Sequence, residues 1–254
     1  MQEVYQQLQL VPVERIDLHE DFEPSRLTKT QAQIAADQFI RHPILVVQLQ
    51  SGRYMVIDGV HRFTSLKALG CNVIPVQVID ESKYGITTWH HCVSAGKWWQ
   101  NLQQDPTLPW TTEARQETPF ITVCQRHHEQ YLYADDLRQS KLAAWSKVVA
   151  SYSKSYTVER IAQGEINELS DEEVLLKYQP LNITEIEAVV ARGETVPAGV
   201  TRFNISGRCL NLQVPLHILT EATVHVRMMK WHNFLADKIN SIRCYAEKVY
   251  LVEQ

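Results

Sequence analysis

Apolar positions along the first 80 residues alternate between two periods. Residues 8–16 (LQLVPVERI) read as extended, with Pro12 favouring an edge strand. Thr28 followed by Gln31 has the form of a helix N-cap with its capping box, and Ile34, Ala35, Gln38 and Phe39 then carry the helical period up to Pro43. Apolar runs at 44–50 and 53–57 flank Ser51–Gly52, the pattern of a β-hairpin. The run breaks at Asp58–Gly59. Helical spacing resumes from His61 through Leu66 and Leu69, and Gly70 sits where a helix C-terminus expects glycine. Residues 73–79 form another strand pattern.

Beyond residue 84 the pattern changes. Trp89, Trp98, Trp99 and Trp110 cluster within 84–118, and residues 120–124 and 130–133 suggest a second hairpin. A helix is expected over 137–150, with Leu142, Trp145, Val148 and Val149 on one stripe. Ser170 to Glu173 resembles a capping box opening a helix that Pro180 ends, and Thr184 with Glu187 repeats the signal before Gly193. Residues 200–214 read as strand around Ser206–Gly207, 220–244 as a long helix, and 248–252 as a last strand. Helices and strands alternate throughout, which predicts an α+β fold with a mixed sheet. The expected division is 1–88 for an N-terminal phosphate-binding module and 89–254 for a second α/β module that completes the site.

Composition narrows the function. Lys plus Arg is 25 and Asp plus Glu is 29, a net charge of −4, which lacks the basic footprint of a chain that coats DNA. No apolar run reaches the roughly 18 residues of a membrane span, and the start lacks a basic region followed by an apolar core. Cys71, Cys92, Cys124, Cys209 and Cys244 are scattered and form no CxxC pair, so reduced thiols and a cytoplasmic location are expected. With 9 glycines in 254 residues, the familiar Gly-rich nucleotide loops are absent.

The segment with the most chemistry is YMVIDGVHR at 54–62, followed by FTSLKALG at 63–70. A strand ends at Asp58–Gly59 and a helix starts at once. Helix N-termini attract anions, Gly59 permits close backbone approach, and Arg62 and His61 can add donors to phosphate oxygens. Asp58 at a strand tip suits Mg²⁺ or a hydroxyl. The same residues also fit a plain turn, with Asp58 as N-cap and Arg62 in solvent.

DGVHRFTSLKALG resembles the phosphate-binding box of the ParB/sulfiredoxin-like superfamily, and the preceding HPILVVQLQSGRYMVI resembles the strand and hairpin leading into it. Three branches follow. Sulfiredoxin chemistry requires a cysteine where this chain has Val60. Partition-type ParB proteins carry an Arg-rich box and a helix-turn-helix, and neither is legible here. The third branch, the free L-serine kinases, is similar over the whole chain, through VPVERIDLHE at 11–20, DGVHR at 58–62 and VPAGVTRFNISGR at 196–208.

That resemblance implies transfer of a nucleotide phosphate, from ATP or ADP with Mg²⁺, to L-serine. The product, O-phospho-L-serine, would feed assembly of a siderophore. It implies Glu20 as general base towards the serine hydroxyl and Asp58 as second carboxylate and tentative Mg²⁺ ligand. Gly59, His61 and Arg62 correspond to the phosphate cradle, and Thr201 and Arg202 to a nucleotide-phosphate element in which Phe203 replaces a histidine. Trp98 or Trp99 corresponds to an aromatic of the serine pocket. The alternative is a ParB-like DNA-binding regulator responsive to haem, with His225, Met228, Met229 and His232 as axial candidates, although Met at helical spacing also fills cores. His90–His91–Cys92 and His127–His128 lack metal-site spacing and favour surface or packing roles.

Overall fold

The computed structural model describes residues 2–126, 128–165 and 169–244. The chain forms two compact units. One comprises residues 2–17, Phe22–Lys83 and the described residues from Ile205 onward; the other comprises Leu18–Asp21 and the described residues of Tyr84–Asn204. This differs from the expected division at 88/89, because the described residues from Ile205 onward group with the first unit.

Elements run α1 (Gln2–Gln7), β1 (Leu8–Pro12), β2 (Ile16–Leu18), α2 (Pro24–Asp37), β3 (Phe39–Ile40), β4 (Ile44–Gln48), β5 (Tyr54–Asp58), α3 (Val60–Ala68) and β6 (Val73–Val78). Next come β7 (Tyr84–Ser94), α4 (Lys97–Gln103), β8 (Ile121–Gln125), β9 (His128–Leu132) and α5 (Lys141–Ser153). They are followed by β10 (Val158–Ala162), β11 (Glu173–Tyr178), α6 (Ile183–Ala191) and β12 (Thr201–Ile205). Last are β13 (Val214–Pro215), α7 (Leu216–Leu219) and α8 (Val224–Ile239).

The first unit holds a five-stranded sheet in the order β1-β6-β4-β5-β2. It is mixed, as expected: β4 runs parallel to β6, while β1–β6 and β4–β5 are antiparallel. The hairpin of β4 and β5 is central, and in both strands the first four residues are buried. Continuous burial of ILVV and YMVI, without alternation, is what strands covered on both faces require.

Helix α2 departs from its expected start. It opens at Pro24, whose missing N–H and fixed φ suit the first turn, and Thr28 lies inside it with Oγ1 donating to Pro24 O at 3.1 Å. It ends not at Pro43 but at Gln38, which takes the left-handed conformation with φ +60°. The expected long C-terminal helix is confined to α8, anchored by buried Trp231 and Leu235. The strand expected at 248–252 lies outside the described residues.

The second unit is a sheet in the order β10-β7-β11-β8-β9, with β12 also paired to β7. Its core gathers Phe120, Ile121, Leu132, Trp145, Val148, Tyr152 and Leu176, each at most 1% exposed. Residues 173–178 correct the helix expected there. Glu173 does reach back to accept from Ser170 N at 2.9 Å, as a capping box would, but the chain continues as strand β11 between β7 and β8. Val174, Leu175 and Leu176 are all buried, and a strand inside a sheet buries consecutive residues on both faces. In α6 the true box is Asn182 with Glu185, two residues earlier than the Thr184–Glu187 expectation.

Candidate active site

In the first unit, β5 delivers Asp58 to the start of α3. Gly59 is the N-cap residue, with φ +103°, and no side chain caps the helix, so Asp58 is not the cap of a plain turn. Arg62, one turn into α3, folds back over this glycine. Its Nη2 donates to Asp58 Oδ2 at 3.1 Å, and Nη1 donates to the carbonyls of His42 and Pro43 at 3.0 and 2.9 Å. A Cβ on Gly59 would lie 2.9 Å from Arg62 Nη2.

Arg208, which sequence reasoning did not single out, donates from Nη1 to the same Asp58 oxygen at 2.8 Å. Asp58 is thus flanked by two guanidinium groups, at a helix N-terminus that itself favours negative charge. The signal for Arg208 was its place at the end of the 196–208 motif. His61 was expected to donate, but its Nε2 accepts from Glu23 N at 3.0 Å, so a neutral ring carries its hydrogen on Nδ1.

The second unit carries Glu20. The segment around it pairs in parallel with Val196: Val196 N donates to His19 O at 2.8 Å and Asp21 N to Val196 O at 3.1 Å. This holds Glu20 so that Oε2 accepts from Gly199 N at 3.0 Å. Gly199 has φ +75° and lies against the Arg160 guanidinium, whose Cζ would be 2.6 Å from an added Cβ.

Thr201 opens β12, where Thr201 and Phe203 point inward and Arg202 lies half-buried between them. Thr201 Oγ1 is buried with no hydrogen-bond partner among the described residues. Arg202 stacks over Trp89, Cζ to ring centroid 4.1 Å. Phe203 packs edge-on between His19 and Tyr84, at 5.2 and 5.6 Å. It therefore serves as core.

Trp98 and Trp99 are both buried. Trp98 Nε1 donates to Ser94 O, and its ring meets Tyr152 at 5.1 Å; Trp99 packs on Trp110 at 5.1 Å. His90 and His91 are interior residues of β7, and His127 lies outside the described residues. On α8, His225, Met229 and His232 are exposed and Met228 is half-buried. Burial pushes the thiols of Cys71, Cys92 and Cys124 up to about 11, which makes them inert. No helix among the described residues is long and apolar enough to cross a membrane.

The ParB N-terminal domain family matches residues 2–87. An ATP-dependent L-serine kinase, SbnI of Staphylococcus aureus (strain NCTC 8325 / PS 47), is 63% identical over 254 residues, the whole of both chains. The chain belongs to the SbnI family of ATP-dependent L-serine kinases. A solved structure of SbnI with a C-terminal truncation superposes with a TM-score of 0.90 at 62% identity, covering 94% of this chain and 99% of that one. A free serine kinase in complex with AMP shares the fold at 17% identity, with a TM-score of 0.67 over 84% of this chain and 93% of that one.

Proposed function

We propose that the protein transfers the γ-phosphoryl group of ATP to the hydroxyl of free L-serine, giving ADP and O-phospho-L-serine, with Glu20 as general base. The observation that carries the activity is full-length identity of 63% to a kinase of that name. The role of Glu20 is supported by its geometry. One oxygen is held by Gly199 N–H, which leaves Oε1 to take the serine hydroxyl proton as the bond to phosphorus forms.

Phosphoryl transfer asks mainly for positioning and charge neutralisation. Arg62, Arg208 and the first-turn N–H groups of α3 supply positive charge around Asp58. Asp58 spends Oδ2 on both arginines, so Oδ1 fits a hard cation, and a carboxylate oxygen is the donor Mg²⁺ prefers. Bound there, Mg²⁺ would neutralise charge on the nucleotide phosphates. The unpartnered Thr201 hydroxyl suits a phosphate oxygen, and Arg202, braced by Trp89, adds charge beside it. Trp98 or Trp99 would shape the serine pocket, and both are core residues of the second unit. Phosphate leaves carbon more readily than hydroxide does, so the product suits replacement chemistry leading to a siderophore precursor.

The test is phosphorus NMR of serine with ATP or ADP. Glu20→Gln is expected to lower kcat by about 10²–10⁴-fold, the usual worth of a general base, and Asp58→Asn to weaken nucleotide-dependent turnover by a similar factor. Near-normal phosphoserine formation by both folded variants would overturn the assignment.

A further inference from the structure

Behind Gly199 lies a buried line of polar groups whose hydrogen-bond direction can be read from its end. Gly199 O only accepts, so His91 Nε2, at 2.8 Å, carries a hydrogen. In the neutral ring Nδ1 is then an acceptor, and the Tyr152 hydroxyl at 2.7 Å donates to it. Tyr152 in turn accepts from the Tyr178 hydroxyl at 2.5 Å. His91, Tyr152 and Tyr178 are 2%, 0% and 3% exposed. Burial holds both phenols well above their ordinary pKa, so each keeps the proton it donates.

We propose that His91, oriented by Tyr152 and Tyr178, is a positioning residue for Glu20. It fixes the carbonyl of Gly199 and through it the N–H that grips the carboxylate. The proposal rests on Glu20 being the general base. Gly199 needs such a fixture because it is a glycine at φ +75° between two peptide planes. Glu20 takes the N–H on one side and His91 the C=O on the other, while Trp89 N secures the next carbonyl, Val200 O, at 2.8 Å. Phenylalanines would fill the same core without polar groups to satisfy. A fully buried polar chain instead specifies one arrangement, at the risk of a heavy penalty for any unmet partner.

Small displacements of a catalytic group are costly, so Tyr152→Phe is expected to lower kcat about tenfold or more while KM for serine and ATP stays within about twofold. His91→Gln, which keeps a donor towards Gly199 O, should retain more activity than His91→Leu. Added to Glu20→Gln, Tyr152→Phe should cause no further loss. Nitrogen-15 NMR of the wild-type protein should find His91 neutral with its proton on Nε2. Folded Tyr152→Phe and His91→Leu variants with wild-type kcat, beside an inactive Glu20→Gln, would overturn the positioning role alone. Full activity of Glu20→Gln would overturn the base reading beneath it. Should the variants fail to fold, a proton on His91 Nδ1 in the wild type overturns the proposal.

Discussion

Gly59 and Gly199 are the residues at which a methyl group matters most. Each has a positive φ, and each lies under an arginine that occupies the space of a side chain. The DGVHR box suggests a glycine that lets backbone approach a phosphate; the structure adds that Arg62 itself needs the room. Gly59→Ala is expected to cost about 1–3 kcal/mol in urea unfolding, from left-handed strain and the displaced guanidinium, and to raise KM for ATP as Arg62 leaves Asp58. Unchanged stability and KM would show that Arg62 can move without consequence. Arg208 belongs at this scale too, since a side chain 150 residues away in sequence completes the pair on Asp58.

At the scale of elements, local capping signals are dependable for chemistry and less so for position. Asn182 accepts from Glu185 N at 2.9 Å and Glu185 returns the contact to Asn182 N, although Thr184 and Glu187 offer the same letters. Asn182→Ala should therefore destabilise the protein by about 1 kcal/mol in chemical denaturation, and Thr184→Ala by much less. Equal losses would place the cap elsewhere. Ser170–Glu173 makes the opposite point: half a capping box forms, but three consecutive apolar residues find cover on both sides between β7 and β8, and tertiary burial overrides the local preference. The β4–β5 hairpin and α3 were legible because their apolar spacing, turn residues and Gly70 agree with the burial they reach.

For the whole molecule, burial sets the response to acid. His90 lies inside the second unit, where burial first and Lys177 second lower its pKa. It is neutral when folded. As pH falls below about 6.5, the unfolded chain takes up the proton first, so stability present at neutral pH is lost progressively towards the lower folded value. The melting temperature should drop between pH 7 and 5, and His90→Gln should reduce that drop. An identical pH profile in the variant would exclude His90 as a source of acid sensitivity.

By itself the sequence determined the α+β class, the mixed sheet of the N-terminal module, the DGVHR turn and the scatter of the cysteines. All of these follow from spacings of a few residues, which the periods of helix and strand translate directly into structure. Tertiary structure alone decided that residues 173–178 are strand, that the described residues from Ile205 onward join the first unit, and that Arg208 reaches Asp58. It also decided that Glu20 is held by a glycine 179 residues away, which His91 steadies from 108 residues away. Such contacts have no period. They exist only when the fold closes the intervening loops and brings these polar groups together.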